Sequence, residues 1–138
     1  MEYLRRIDFA SLSAGTGRTT QVLLDRLSGA TTVKAVVVRL TPGEGSPRGT
    51  HEHRFDQSMY ILSGSVNVEI GGTELVAESG TLVLLPGGIP HRSWNPAGAT
   101  ADTTYLEFST PLPEAGESRE SPDQAFDEAT RRWVSPKR

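Results

Sequence analysis

From Thr20 onward the chain alternates short apolar or β-branched runs with turn residues, and no two of these runs are joined by a helical pattern. Thr31–Leu40, nearly all β-branched or apolar, is the most strand-like run, and the β-rich Thr20–Leu27 precedes it. Thr41–Thr50 carries Pro42, Gly43, Gly45, Pro47 and Gly49 and predicts a long turn. His51–Leu62 reads as extended. Val66, Val68 and Ile70 then alternate with Asn67 and Glu69, and Gly71-Gly72 predicts a hairpin turn into Thr73–Ala77. Thr81–Leu85, His91–Asn95 and Thr103–Ser109 complete the strands. Many short strands without helical crossovers predict an all-β barrel or sandwich and exclude a parallel α/β sheet.

The two ends differ from this texture. Tyr3, Leu4, Ile7 and Phe9 fit a short edge strand or a contact with a second copy, and Ser11–Thr20 reads as a loop. Its Gly15-Thr16-Gly17-Arg18-Thr19 lacks the Gly-Lys-Ser/Thr ending and the following helix of a phosphate loop. Thr110–Glu120 is rich in Pro, Glu and Ser and reads as a linker. After it, Ser121 fits an N-cap, Pro122 a first helical residue and Gln124 a capping-box partner. Phe126, Ala129, Thr130 and Trp133 share one helical face, so a short helix is expected over 122–133. The organisation predicted is one barrel domain over 1–110, then a linker and short C-terminal helix over 111–138.

Length and charge narrow the classes. A chain of 138 residues has room for one hydrophobic core. A net charge of −3 implies neither a nucleic-acid nor an anionic-membrane partner, and the absence of cysteine excludes disulfide and thiolate chemistry. No apolar run approaches the ~20 residues of a membrane helix, and no apolar leader is visible, so a soluble, cytoplasmic protein is expected.

The candidate chemistry lies in the only three histidines, His51, His53 and His91. His51 and His53 stand at i and i+2, on one face of a strand, and the same parity carries Phe55, Gln57, Met59 and Ile61. His91 follows the turn Pro86-Gly87-Gly88-Ile89-Pro90, from which it can meet the other two across a barrel. Three imidazoles and one amide oxygen suit a divalent transition metal such as Zn, Fe, Ni, Mn or Cu, with positions left for water or substrate. Ser93, two residues beyond His91, faces inward by the same rule. Arg39 would be a carboxylate partner if its strand turns that parity inward, which the pattern leaves open. The pocket expected is apolar with few charges, and this favours an aromatic or polyketide-like substrate over a phosphorylated sugar.

These positions also resemble the cupin superfamily. Gly45, His51, His53, Gln57 and Gly64 match the first cupin motif, Gly-x5-His-x-His-x3-Glu-x6-Gly, at every spacing, with Gln57 in place of Glu. Gly80, Pro86, Gly88, His91 and Asn95 match the second, Gly-x5-Pro-x-Gly-x2-His-x3-Asn. The resemblance implies a double-stranded β-helix (jelly-roll barrel), a metal held by His51, His53, Gln57 and His91, and a homodimer. Four neutral ligands leave the ion its full charge, which favours stabilising an anionic oxygen and leaves the proton carrier unassigned. The function expected is Lewis-acid chemistry (cyclisation, isomerisation or elimination) on a small enolisable carbonyl, phenolic or polyketide-like substrate. The alternatives are an Fe, Ni or Cu dioxygenase on a similar substrate, and a non-catalytic ligand-binding cupin.

Overall fold

The computed structural model describes residues 3–46 and 49–112, and beyond them the backbone of three short strands. Helix α1 (Phe9–Ser13) precedes β1 (Arg18–Leu24), β2 (Lys34–Leu40), β3 (Glu52–His53), β4 (Asp56–Ser63) and β5 (Ser65–Ile70). Then come β6 (Thr73–Glu78), β7 (Leu82–Leu85), β8 (His91–Trp94), β9 (Thr103–Thr110), β10 (Ser118–Arg119), β11 (Ala125–Asp127) and β12 (Arg132–Val134). One antiparallel sheet has the order β1-β2-β9-β4-β7, and a second has the order β6-β5-β8. His51 and His91 exchange backbone hydrogen bonds of 2.9 and 2.8 Å, and this bridge attaches β3, with β10 along its other edge, to β8.

Strand parity builds the interior in rungs across the larger sheet. Val38, Tyr105 and Ile61 stand side by side, then Val36, Glu107 and Met59, then Lys34, Ser109 and Gln57. The first rung is buried with Leu40, Val83 and Leu85 against Val66, Val68 and Ala77 of the facing sheet. This is the dry core, and it is the arrangement expected of a double-stranded β-helix. Gly71 and Gly72, with φ of +55° and +86°, form the β5–β6 hairpin turn. Gly64 has φ +73°, and a Cβ there would stand 2.3 Å from the Asp102 carbonyl oxygen, so the β4–β5 corner can seat against β9 only without a side chain.

Three expectations about local structure are corrected. The segment around Tyr3, Leu4, Ile7 and Phe9 forms no strand in residues 3–8. Instead Asp8 caps α1 by accepting from Ser11 N at 3.0 Å. The Gln21 side chain accepts from Asp8 N at 2.8 Å and donates to Arg6 O at 3.0 Å, occupying backbone groups that a strand edge would need. The run from His51 to Leu62 is two strands, broken at Arg54-Phe55. The helix expected over 122–133 is replaced, in its described residues, by the hairpin β11–β12, whose register sets Phe126 opposite Trp133. A helix of that length is marginal without a docking face, and the backbone pairs here as antiparallel strands instead. Ser121 and Gln124 lie outside the described residues. Among the described residues no helix is long and apolar enough to cross a membrane.

Candidate metal centre

The turn before His91 is stitched onto the corner after His53. Gly88 N donates to the His53 carbonyl at 2.7 Å, and a Cβ on Gly87 would lie 2.5 Å from the Arg54 carbonyl oxygen. These close approaches bring three rings together, with centroids 4.5 Å apart for His51 and His91, 4.6 Å for His53 and His91, and 5.9 Å for His51 and His53. One nitrogen of each lies within 4.8 Å of the others.

The hydrogen bonds fix which nitrogens those are. His51 Nδ1 faces Gly49 O at 2.9 Å, His53 Nδ1 faces Phe55 O at 2.8 Å, and His91 Nδ1 faces Ile89 O at 3.0 Å. A carbonyl only accepts, so each Nδ1 donates, which leaves Nε2 as the ring nitrogen free to act as a ligand. His91 Nε2 is buried and has no hydrogen-bond partner. The Gln57 amide nitrogen donates to Glu107 Oε1, with Ser109 Oγ at 3.4 Å, and this points Oε1 toward His53 Nε2 at 3.2 Å. Two acceptors then face one another with no proton between them. Adjacent ligands bound at ~2.0–2.1 Å to one ion stand roughly 3–3.4 Å apart; the His53–Gln57 pair has that spacing, and the three histidine nitrogens, within 4.8 Å of one another, form a group able to hold a metal ion. Burial pushes His91 down to about 4 and His53 down as well, and neighbouring imidazoles add to it, so both rings are neutral near pH 7.

A cavity of about 380 Å³ opens from these groups, walled by Arg18, Thr20 and Val22 of β1, Lys34 and Val36 of β2, and Glu107 of β9. A smaller recess of about 60 Å³ continues inward past Met59, His91, Ser93 and Tyr105. Burial pushes the Glu107 carboxyl up, against the pull of Arg18, Lys34 and its Gln57 hydrogen bond.

The family model described as Cupin domain matches residues 36–105, half of the chain and both histidine motifs. The chain belongs to the cupin family. No curated protein sequence matches it. Among solved structures, the polyketide cyclase RemF from Streptomyces resistomycificus is 19% identical, with TM-score 0.67 over 85% of this chain and 84% of that one. KdgF from Halomonas sp. is 20% identical, with TM-score 0.58 over 71% and 82% of the two chains. An RmlC-like cupin from Shewanella frigidimarina is 20% identical, with TM-score 0.63 over 83% and 95%. At such identities the likeness is one of fold.

Within this cupin, the residues named from sequence divide. Phe55 stacks on His53 with centroids 3.8 Å apart and lines the cavity, while Met59 and Ser93 line the recess. Asn95 donates to Leu40 O and Ala101 O, tying loops rather than facing the cavity. Ile61 is 0% exposed and belongs to the core, one rung too deep for the pocket. Arg39 is placed away from the cavity. It faces outward on β2, bonded to Asp102 and to the carbonyls of Leu12 and Gly15, because Val36, Val38 and Leu40 take the inward parity.

Sequence reasoning missed Glu107, Arg18 and Lys34, and the pocket is therefore more charged than an apolar one. Glu107 had a usable signal: it is the acidic residue in the strand Thr103–Thr110, at the same parity as buried Thr103, Tyr105 and Ser109. Arg18 and Lys34 open their strands, where the side of the sheet cannot be read without the register.

Proposed function

We propose that this cupin is a metal-dependent enzyme acting on a small enolisable carbonyl or phenolic substrate, with His51, His53, His91 and Gln57 as the metal-holding residues. The observation that carries the reading is the shared orientation of the rings. All three Nδ1 atoms donate to backbone carbonyls, which leaves three Nε2 atoms free to act as ligands beside an amide oxygen. A divalent ion held there would supply Lewis acidity toward a substrate oxygen.

The remaining residues have separate tasks. Glu107 accepts the Gln57 amide proton and so sets which end of that amide meets the histidines. Its carboxyl also lines the cavity, where it is the candidate proton carrier for a carbon acid bound beside it. Phe55 walls His53 with an apolar face that keeps water from one side of the ring. The cyclase among the structural neighbours makes cyclisation one form this chemistry can take.

The test is metal-dependent exchange of C–H for C–D in dihydroxyacetone, followed by NMR under nitrogen and under air. Protein loaded with Zn(II), Ni(II) or Mn(II) should outpace both the free ion and a His51→Ala/His53→Ala variant, equally with and without oxygen. No acceleration overturns the reading, and oxygen uptake matched to product would replace it with a dioxygenase.

A further inference from the structure

Arg18 and Lys34 are the residues that the function above leaves unused. Both line the 380 Å³ cavity, and Arg18 also reaches the recess that holds Met59, His91 and Tyr105. They come from neighbouring strands, Arg18 opening β1 and Lys34 opening β2. Among the described residues neither has an ion-pair partner. The one carboxylate between them, Glu107, spends its oxygen Oε1 on the Gln57 amide. Two cations therefore share a wall with one acid that is already engaged.

An unpaired guanidinium and ammonium aimed into the same concave space make an anion site, because they lose little hydration there and gain charge-assisted hydrogen bonds when a carboxylate arrives. Phe55, stacked on His53, adds an apolar group to the same lining. The volume is at the small end of ligand cavities, ~300–1,000 Å³, and so limits the occupant to about one ring or a short acyl chain.

We infer that the ligand of this cavity is a small carboxylic acid whose carboxylate is held by Arg18 and Lys34 while a second oxygen faces the histidine cluster. This rests on the proposed function only for the role of that second oxygen. The acid-binding wall stands on Arg18 and Lys34 alone.

The probes are 3- and 4-hydroxybenzoate and the matching hydroxybenzamides, which keep the shape and remove the charge. Binding is measured by calorimetry on Zn(II)-loaded and on metal-free full-length protein. The better acid should bind at least about tenfold more tightly than its amide, the gain expected of charge-assisted contacts. In an Arg18→Gln/Lys34→Gln variant the ratio should fall to within about twofold, and Arg18→Lys should restore part of it. Zn(II) should still bind in these variants, because among the described residues no hydrogen bond joins either side chain to the histidines. If metal-free protein keeps the acid preference, the acid site stands even where the metal chemistry fails. No preference in the wild type, no binding of any probe, or a preference that survives the double substitution overturns the inference.

Discussion

β4 and β9 carry two different interiors on one face. At one end Ile61 and Tyr105 stand side by side with Val38 in a dry core; two rungs along, Gln57 and Ser109 stand beside Lys34 at an open cavity. The backbone pairing is the same at both ends. What changes is that apolar side chains can close on one another, while imidazoles, an amide and a carboxyl keep their spacing because each is held by a hydrogen bond. Met59 and Glu107, paired on the rung between, mark the boundary. Stability should therefore sit at the Ile61 end and ligand chemistry at the Gln57 end, with little exchange between them.

The sharpest way to break that division is a pair of truncations. Ile61→Ala should lower unfolding stability by about 2–5 kcal/mol, the cost of lost burial and a residual cavity, and leave Zn(II) affinity unchanged. His53→Ala should cut Zn(II) affinity by more than about 100-fold, since a ligand is lost, and should lower metal-free stability as well, because the buried ring stacks on Phe55. Denaturant titration and calorimetry read both. Equal losses of metal affinity in the two variants would show that the ends are one cooperative unit.

Glu107 tests the boundary. Glu107→Gln replaces a carboxylate with an amide, whose oxygen accepts more weakly and whose NH2 can turn toward Gln57 instead, so the Gln57 amide is held less firmly with Oε1 toward the histidines. Metal affinity should fall by about 10–100-fold, as for other residues that orient a ligand from behind. Metal-free stability should hold or rise, because a buried acid has been removed. Four neutral ligands suggest an ion carrying its full charge, yet a carboxyl stands one amide away, and Glu107→Gln measures what it contributes.

The histidine motifs are legible in the chain because their logic is local. An i, i+2 pair shares a strand face whatever the partner strand, and a Pro/Gly turn marks where His91 re-enters. Gly64 is legible in part for the same reason, since its positive φ is a local demand, whereas the close approaches of Gly64 to Asp102 and of Gly87 to Arg54 join segments distant in sequence. Parity marks Glu107 as inward-facing, but its tie to Gln57 is not legible, because that bond spans 50 residues and depends on the β4–β9 register. Arg39 misleads because β2 is buried on both faces, with Ala35 and Val37 on one side and Val38 and Leu40 on the other. A strand without polar alternation gives no parity to read.

Acid should act on the two ends unequally. His91 has a folded value of about 4 against an unfolded 6.5. Above pH 6.5 the ring is neutral in both states, and its contribution is whole. Between 6.5 and about 4 the unfolded chain binds a proton that the folded chain refuses, so stability is lost as pH falls. Glu107, raised by burial, works in the opposite direction, so the clean measure is a difference. The stability gap between wild-type and His91→Asn protein, both metal-free, should shrink on going from pH 7 toward 4. A constant gap would mean that water reaches His91 freely and the ring is not buried as the core end is.

The smallest effect expected concerns the outer edge of the histidine strand. β10 pairs with β3, Ser118 opposite His53 and Arg119 opposite Glu52. Ending the chain after Leu112 removes that neighbour, and strand hydrogen bonds are worth about 0.5–1.5 kcal/mol each. His53 keeps two other restraints, its carbonyl bond from Gly88 and its ring bond to Phe55, and His51 keeps its bridge to His91. Amide exchange in β3 should therefore quicken while Zn(II) affinity falls by less than about tenfold, the equivalent of one or two such bonds. Loss of metal binding on truncation would move the tail from cover to component, and the histidine end would then need a long-range contact as much as the apolar end does.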